Sequence, residues 1–251
     1  MRDGACVIGK IASVTSLSYP DRMSIALPSA GSKAPSWALF ARELASALDP
    51  WRILALREAM PQAAAAGSPV LVIPGFLASD DSTRALRRGL RQAGFRAHGW
   101  KRGRNLGLRP DIFETIDARV RHISRGAPVS IVGWSLGGLV AREYAKRAPD
   151  RISKVVTLGA PVCGDPRQNN NVWRLYELIA GHSVDAPPIL CALEEKPPVE
   201  TIALWSRRDG IVAAESASAT GCCDRSIEIA CGHIEMAFAP EAIAAVVAAL
   251  R

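Results

Sequence analysis

At 251 residues, 49% hydrophobic and 22% charged, the chain has the bulk of one large folded domain and none of the bias of a disordered or low-complexity protein. Six cysteines without metal-ligand spacing point to neither a zinc site nor a disulfide framework, and no metal or cofactor is expected. The net charge of +7 is concentrated in residues 84–125, where 12 basic residues stand against three acidic ones, but no stacking aromatics or nucleic-acid module accompany them. Solvated helix faces are expected there, with no nucleic-acid partner.

Residues 1–68 read as a loose arm, rich in Ser, Pro, Gly and Ala up to about Pro35, followed by an amphipathic helix within 36–60. Lys10 interrupts the first apolar stretch, so no secretory leader is read. The longest apolar runs, such as Ala242 to Leu250, are too short to span a bilayer. A cytoplasmic protein is the expectation. Trp37, Phe40, Leu44, Leu48 and Trp51 recur at helical spacing, with Arg42 and Glu43 on the other side. This stripe is expected to dock on the chain's own domain; peripheral contact with a membrane is the alternative.

From residue 69 onward, short apolar runs alternate with helical patterns. Strands are expected over Pro69 to Pro74, Arg96 to Trp100, Pro128 to Gly133, Arg151 to Leu158, Thr201 to Ser206 and Ser226 to Cys231. Helices are expected over Asp80 to Gly94 (capped by Asp80, Asp81 or Ser82), Asp111 to Arg125, Leu136 to Arg147 and Pro240 to Leu250. The alternation predicts an α/β fold with a mostly parallel sheet and helices on both faces. Its ligand crevice should lie at the carboxyl ends of the strands.

Gly133-x-Ser135-x-Gly137 falls between an apolar strand and an amphipathic helix. A serine hydroxyl is a weak nucleophile and must be lifted clear of the sheet to meet a base. A sharp turn does this, and glycines two residues either side relieve the crowding. In this architecture the acid and then the histidine follow in chain order. His98 and His122 precede Ser135, leaving His233, in a loop before the last helix, as the expected base and His182 as its rival. Asp209, at a strand end before Gly210, is the expected acid, with Asp224 and then Asp185 as rivals. Two backbone amides should form an oxyanion hole: that of Leu136, after the serine, and that of Phe76, in the Pro74-Gly75 turn after the first strand.

With those residues in place, the chain from Val70 onward resembles an α/β-hydrolase of the bacterial esterase/lipase kind. The resemblance rests on Pro74-Gly-Phe-Leu, Gly133-Trp-Ser-Leu-Gly, Val156-Thr-Leu-Gly-Ala-Pro, Ser206-Arg-Arg-Asp-Gly-Ile-Val and Gly232-His-Ile. It implies Ser135, Asp209 and His233 as a triad, Phe76 and Leu136 as the oxyanion hole, and a small-molecule or lipid ester as substrate. Small bacterial lipases carry His-Gly where this chain has Pro74-Gly75, and the loop between Pro161 and Glu200 is longer here than in the smallest of them. At about forty residues that loop exceeds the usual range and contains a helical patch around Trp173 and Tyr176. A cap over residues 161–200 is expected, with Trp173 and Tyr176, and Trp134 beside the serine, facing the substrate. The competing functions are acyl transfer or thioester hydrolysis on the same triad, or a non-catalytic binding protein.

Overall fold

The computed structural model describes residues 33–47, 67–189 and 191–251. Helix α1 (Trp37–Ala47) comes first. Six strands follow: β1 (Pro69–Ile73), β2 (Arg96–Gly99), β3 (Val129–Trp134), β4 (Ile152–Leu158), β5 (Glu200–Trp205) and β6 (Arg225–Glu228). Between and after them lie α2 (Arg84–Gln92), α3 (Ile112–Ser124), α4 (Leu136–Arg147), α5 (Trp173–Ala180) and α6 (Pro240–Leu250). The strands form one sheet in the order β2-β1-β3-β4-β5-β6, and every neighbouring pair is parallel.

Strand β1 shows why the sheet is buried. Alternate side chains leave a strand on opposite faces. Val70 and Val72 pack with Leu86 and Leu90 of α2 and Val246 and Val247 of α6. Leu71 and Ile73 pack with Ile116 and Val120 of α3 and Val140 of α4 on the other face. All four β1 side chains are fully buried, each worth roughly 1.5–3 kcal/mol relative to exposure. Both faces being covered, β1 is apolar throughout rather than alternating. The chain leaves β1 for β2 on one side and returns to β3 on the other, so the loops after β1 and β3 part at the switch point where such sheets open a crevice.

Three expectations are corrected. None of Asp80, Asp81 or Ser82 caps α2, which starts after Thr83 without a side-chain cap bond. The Asp80 carboxylate is drawn away by the end of β2, accepting from Trp100 N at 3.0 Å and Lys101 N at 3.1 Å. Strand β6 is an edge strand that ends at Glu228, before Cys231. Helix α1 does dock on the domain, but through the face opposite to the aromatic stripe. Trp37 and Leu44 are 76% and 54% exposed, whereas Glu43 is 1% exposed. Hydrogen bonding decides the orientation, because the Glu43 carboxylate finds backbone donors that no apolar side chain could use. Leu48 and Trp51, like most of the expected arm, lie outside the described residues. No helix among the described residues is long and apolar enough to cross a membrane.

Candidate active site

Ser135 occupies the turn between β3 and α4 at φ 55° and ψ −124°, a backbone state costing a non-glycine residue on the order of 1–3 kcal/mol. The turn is so tight that a Cβ at Gly133 would overlap the carbonyl of Gly137, and one at Gly137 would overlap the carbonyl of Ile73. Ser135 N donates to Leu158 O at 2.7 Å, and Ser135 O accepts from Gly138 N at 2.8 Å. These bonds hold the serine at the sheet's carboxyl end, at the amino end of α4, where the helix dipole favours negative charge.

The loop after β1 passes close by: a Cβ on Gly75 would lie 3.1 Å from that of Ser135. Buried Asn105, absent from the sequence expectations, braces this loop. Its O accepts from Leu77 N at 2.7 Å, its N donates to Ala78 O at 2.8 Å, and its Nδ2 donates to Pro74 O at 2.8 Å. In sequence, the Gly103 and Gly107 around it announce only a turn. The Phe76 and Leu136 amides donate to no other described residue.

Asp209 and His233 meet in the loops after β5 and β6, with His233 Nδ1 2.7 Å from Asp209 Oδ2. Both are buried. The other carboxylate oxygen, Oδ1, accepts from Ile211 N and Val212 N, both at 2.8 Å. The pair lies over Gly159 at the end of β4, where a Cβ would stand 2.9 Å from Asp209 Oδ2 and 3.0 Å from His233 Nδ1. Trp134, immediately before Ser135, donates its Nε1 proton to His233 O at 3.0 Å. The serine turn and the histidine loop are thereby tied together. Burial alone would lower the His233 pKa, but Asp209, by charge and hydrogen bond, and then Glu43, by charge, outweigh it and raise the value.

The rival residues are engaged elsewhere. Asp224 Oδ2 accepts from Lys196 Nζ at 2.9 Å and Thr201 N at 2.8 Å, and Asp185 pairs with Arg167. The His182 Nε2 stands 3.2 Å from Leu108 O and its Nδ1 3.2 Å from Ser183 O.

A cavity of about 290 Å³ opens on Ser135, walled by Phe76, Leu136, Leu139, Trp173 and Tyr176 among others. That is the lower end of the range for small-molecule sites. Helix α5 covers it: Tyr176 packs on Phe76 with ring centroids 5.2 Å apart and accepts from Leu108 N at 3.3 Å. Trp134 is not part of the wall. Its ring is buried in the core on the α2–α6 side and faces His233, with centroids 5.8 Å apart, so its part is to support the histidine loop. The remaining residue that the sequence expectations passed over is Glu43, whose carboxylate touches both the Asp209 and the His233 loops. Nothing in the sequence announces this: a helix glutamate with no opposite charge three or four residues away is ordinarily solvated.

A family model for the alpha/beta hydrolase fold matches residues 110–181. Over 56 residues, 22% of either chain, the sequence is 36% identical to a pimeloyl-[acyl-carrier protein] methyl ester esterase from Citrobacter koseri. Among solved structures, a bacterial membrane phospholipase A is similar at TM-score 0.54 and 19% identity, covering 85% of this chain and 91% of that one. Carboxylesterase CesB from Bacillus subtilis is similar at TM-score 0.53 and 14% identity, covering 85% and 98%.

Proposed function

From the premise that this chain belongs to the alpha/beta-hydrolase superfamily, we propose that it is a serine hydrolase of carboxylic esters acting through an acyl-enzyme. One observation carries the reading: a buried, hydrogen-bonded Asp209–His233 pair lies at the same sheet end as a serine held in a strained turn. Ser135 Oγ attacks the ester carbonyl while His233 Nε2 accepts its proton. Asp209 keeps the Nδ1 proton in place and stabilises the imidazolium. The negative charge on the carbonyl oxygen is met by the Phe76 and Leu136 amides. The tetrahedral species collapses, the C–O bond to the alcohol breaks, and His233 returns its proton to the departing oxygen. Water, activated by the same histidine, then releases the acid. The apolar cavity beside Ser135 receives the acyl group, and residues 161–200 act as its cap. Its modest volume favours short to medium chains.

A fluorophosphonate probe should label wild-type protein at Ser135, leave Ser135→Ala unlabelled, and block hydrolysis of nitrophenyl esters. Labelling that survives the substitution sinks the assignment. Adding an alcohol acceptor to the same assay separates hydrolysis from acyl transfer.

A further inference from the structure

Glu43 projects from α1 into the domain and is 1% exposed. A carboxylate in such a place is tolerated only when its lone pairs are filled. Oε1 accepts from Gly210 N at 3.0 Å and from His233 N at 2.6 Å, and Oε2 accepts from Ile234 N at 3.0 Å. Gly210 follows Asp209 directly, so one side chain joins the turn that carries the acid to the loop that carries the base.

The surrounding contacts repeat the pattern. Arg42, next to Glu43, donates from Nη2 to Arg208 O at 2.6 Å. Asn171 Nδ2 donates to both Pro35 O and Gly210 O at 3.0 Å, tying the segment before α1 to the same turn. Both loops present glycine where the helix approaches. A Cβ at Gly210 would overlap Leu39 O, and one at Gly232 would lie 2.7 Å from Glu43 Oε1.

We propose that Glu43 is a positioning residue for the Asp209–His233 pair, holding the two loops at the spacing at which Nδ1 meets Oδ2 and placing a second negative charge behind the imidazole. The inference rests on the triad reading above. When Ser135 gives up its proton, the ring becomes a buried cation that Asp209 neutralises directly and Glu43 supports from the backbone side. The groups facing the ring agree. Asp209 comes from the β5 loop and Glu43 from α1, while Arg42 and Arg208 are spent on the carbonyls of Arg208 and Ala230. On the histidine's own loop, Glu235 Oε2 accepts from Gly232 N at 2.7 Å, and the Cys231 thiol is pushed up to about 12, chiefly by burial, and stays neutral.

The test is the pH profile of kcat/KM on a short nitrophenyl ester for wild type, Glu43→Gln and Glu43→Asp, with Trp37→Ala as an unperturbed control. Glutamine puts an NH₂ against a backbone N–H and removes the charge. Its kcat should fall about 10- to 100-fold, by analogy with the loss when a metal-binding histidine is deprived of the partner that orients it. KM should stay unchanged and the His233 ionisation should move to lower pH. Aspartate keeps the charge but retreats by one methylene, so kcat should fall while the ionisation stays near its wild-type position. A folded Glu43→Gln with wild-type kcat and ionisation overturns the proposal. So does a loss of activity that follows the melting temperature with the ionisation unmoved. Should Glu43→Gln fail to fold, wild-type kcat in Glu43→Asp is the overturning result. Wild type that takes no fluorophosphonate at Ser135 would instead sink the triad reading itself.

Discussion

Ser135 is held by residues close to it in the fold's central strands, whereas the loops of Asp209 and His233 are bridged by the Glu43 side chain, which reaches Gly210 across 167 residues and His233 across 190. On the Ser135 side, a strand, a turn and a helix are locked to the neighbouring strands, with glycines supplying the room and backbone bonds to Leu158 and Gly138 fixing the angle. On the Asp209–His233 side, the β5 and β6 loops carry the paired side chains, and α1 bridges their backbones. The same sheet end therefore combines a part built from neighbouring strands with a part assembled from distant segments. On the proposed reading their vulnerabilities differ: the first should be broken by crowding, the second by loss of a charge far away in sequence.

The largest effect on the assembled half should come from Asp209→Asn. It leaves the Glu43 bridge in place but favours the wrong imidazole tautomer, so turnover should drop on the order of 10³- to 10⁴-fold. Asp224→Asn, at a half-exposed residue tied to Lys196, should stay near wild type. The reverse ranking in steady-state kinetics would place the acid in the other loop. A smaller and sharper measurement is the ionisation itself. His233 must be neutral to accept a proton, and its pKa is raised, so kcat/KM should climb with pH through a single step above the ordinary value of about 6.5 and then level off. The same shift has the opposite sense for folding. Protonated His233 adds stability fully below the unfolded value, and this is lost as pH rises through the folded one. A step below 6.5, or one that survives in His233→Ala, would break the assignment. The smallest effect should be that of Trp173→Ala on the cavity wall. It should favour bulkier acids over short ones by about tenfold in relative kcat/KM, the scale of one or two methylenes of pocket contact. Uniform loss of rate with a lower melting temperature would make α5 a structural cover only.

The fold was largely legible in the sequence because its signals are local. A fully buried parallel strand reads as an unbroken apolar run, as Val70 to Ile73 does, and the glycine spacing around Ser135 declares the tight turn. The expectation that Asp209 and His233 meet rests on chain order and on their sites after β5 and β6, and the structure brings the two together. Helix α1 was read with the wrong face inward. Periodicity ranks faces by hydrophobicity, and there Trp37 and Leu44 outweigh a lone glutamate. What turned the helix was a set of backbone donors on loops that meet only in the folded chain. Asn105 was missed for the same reason, as its three bonds go to a loop whose position depends on the sheet. Trp134 is expected at the substrate, yet as the last residue of β3 it shares a face with Val132, and its indole lies in the core.

The reach of Glu43 also has a bearing on the order in which the protein matures. During synthesis α1 leaves the ribosome well before the two loops that satisfy its carboxylate, which follow it by 167 to 190 residues. Until they arrive, Glu43 has neither its donors nor its burial, so water solvates it and the docking face of α1 stays open. Contacts at such sequence separation form late, after the entropy of closing the chain has been overcome. The pairing of β1, β3 and β4 around Ser135 spans shorter separations and can form before them. Catalytic competence would then appear as a final event distinct from collapse, and a refolding experiment that follows fluorophosphonate labelling beside circular dichroism would see the two separate in time.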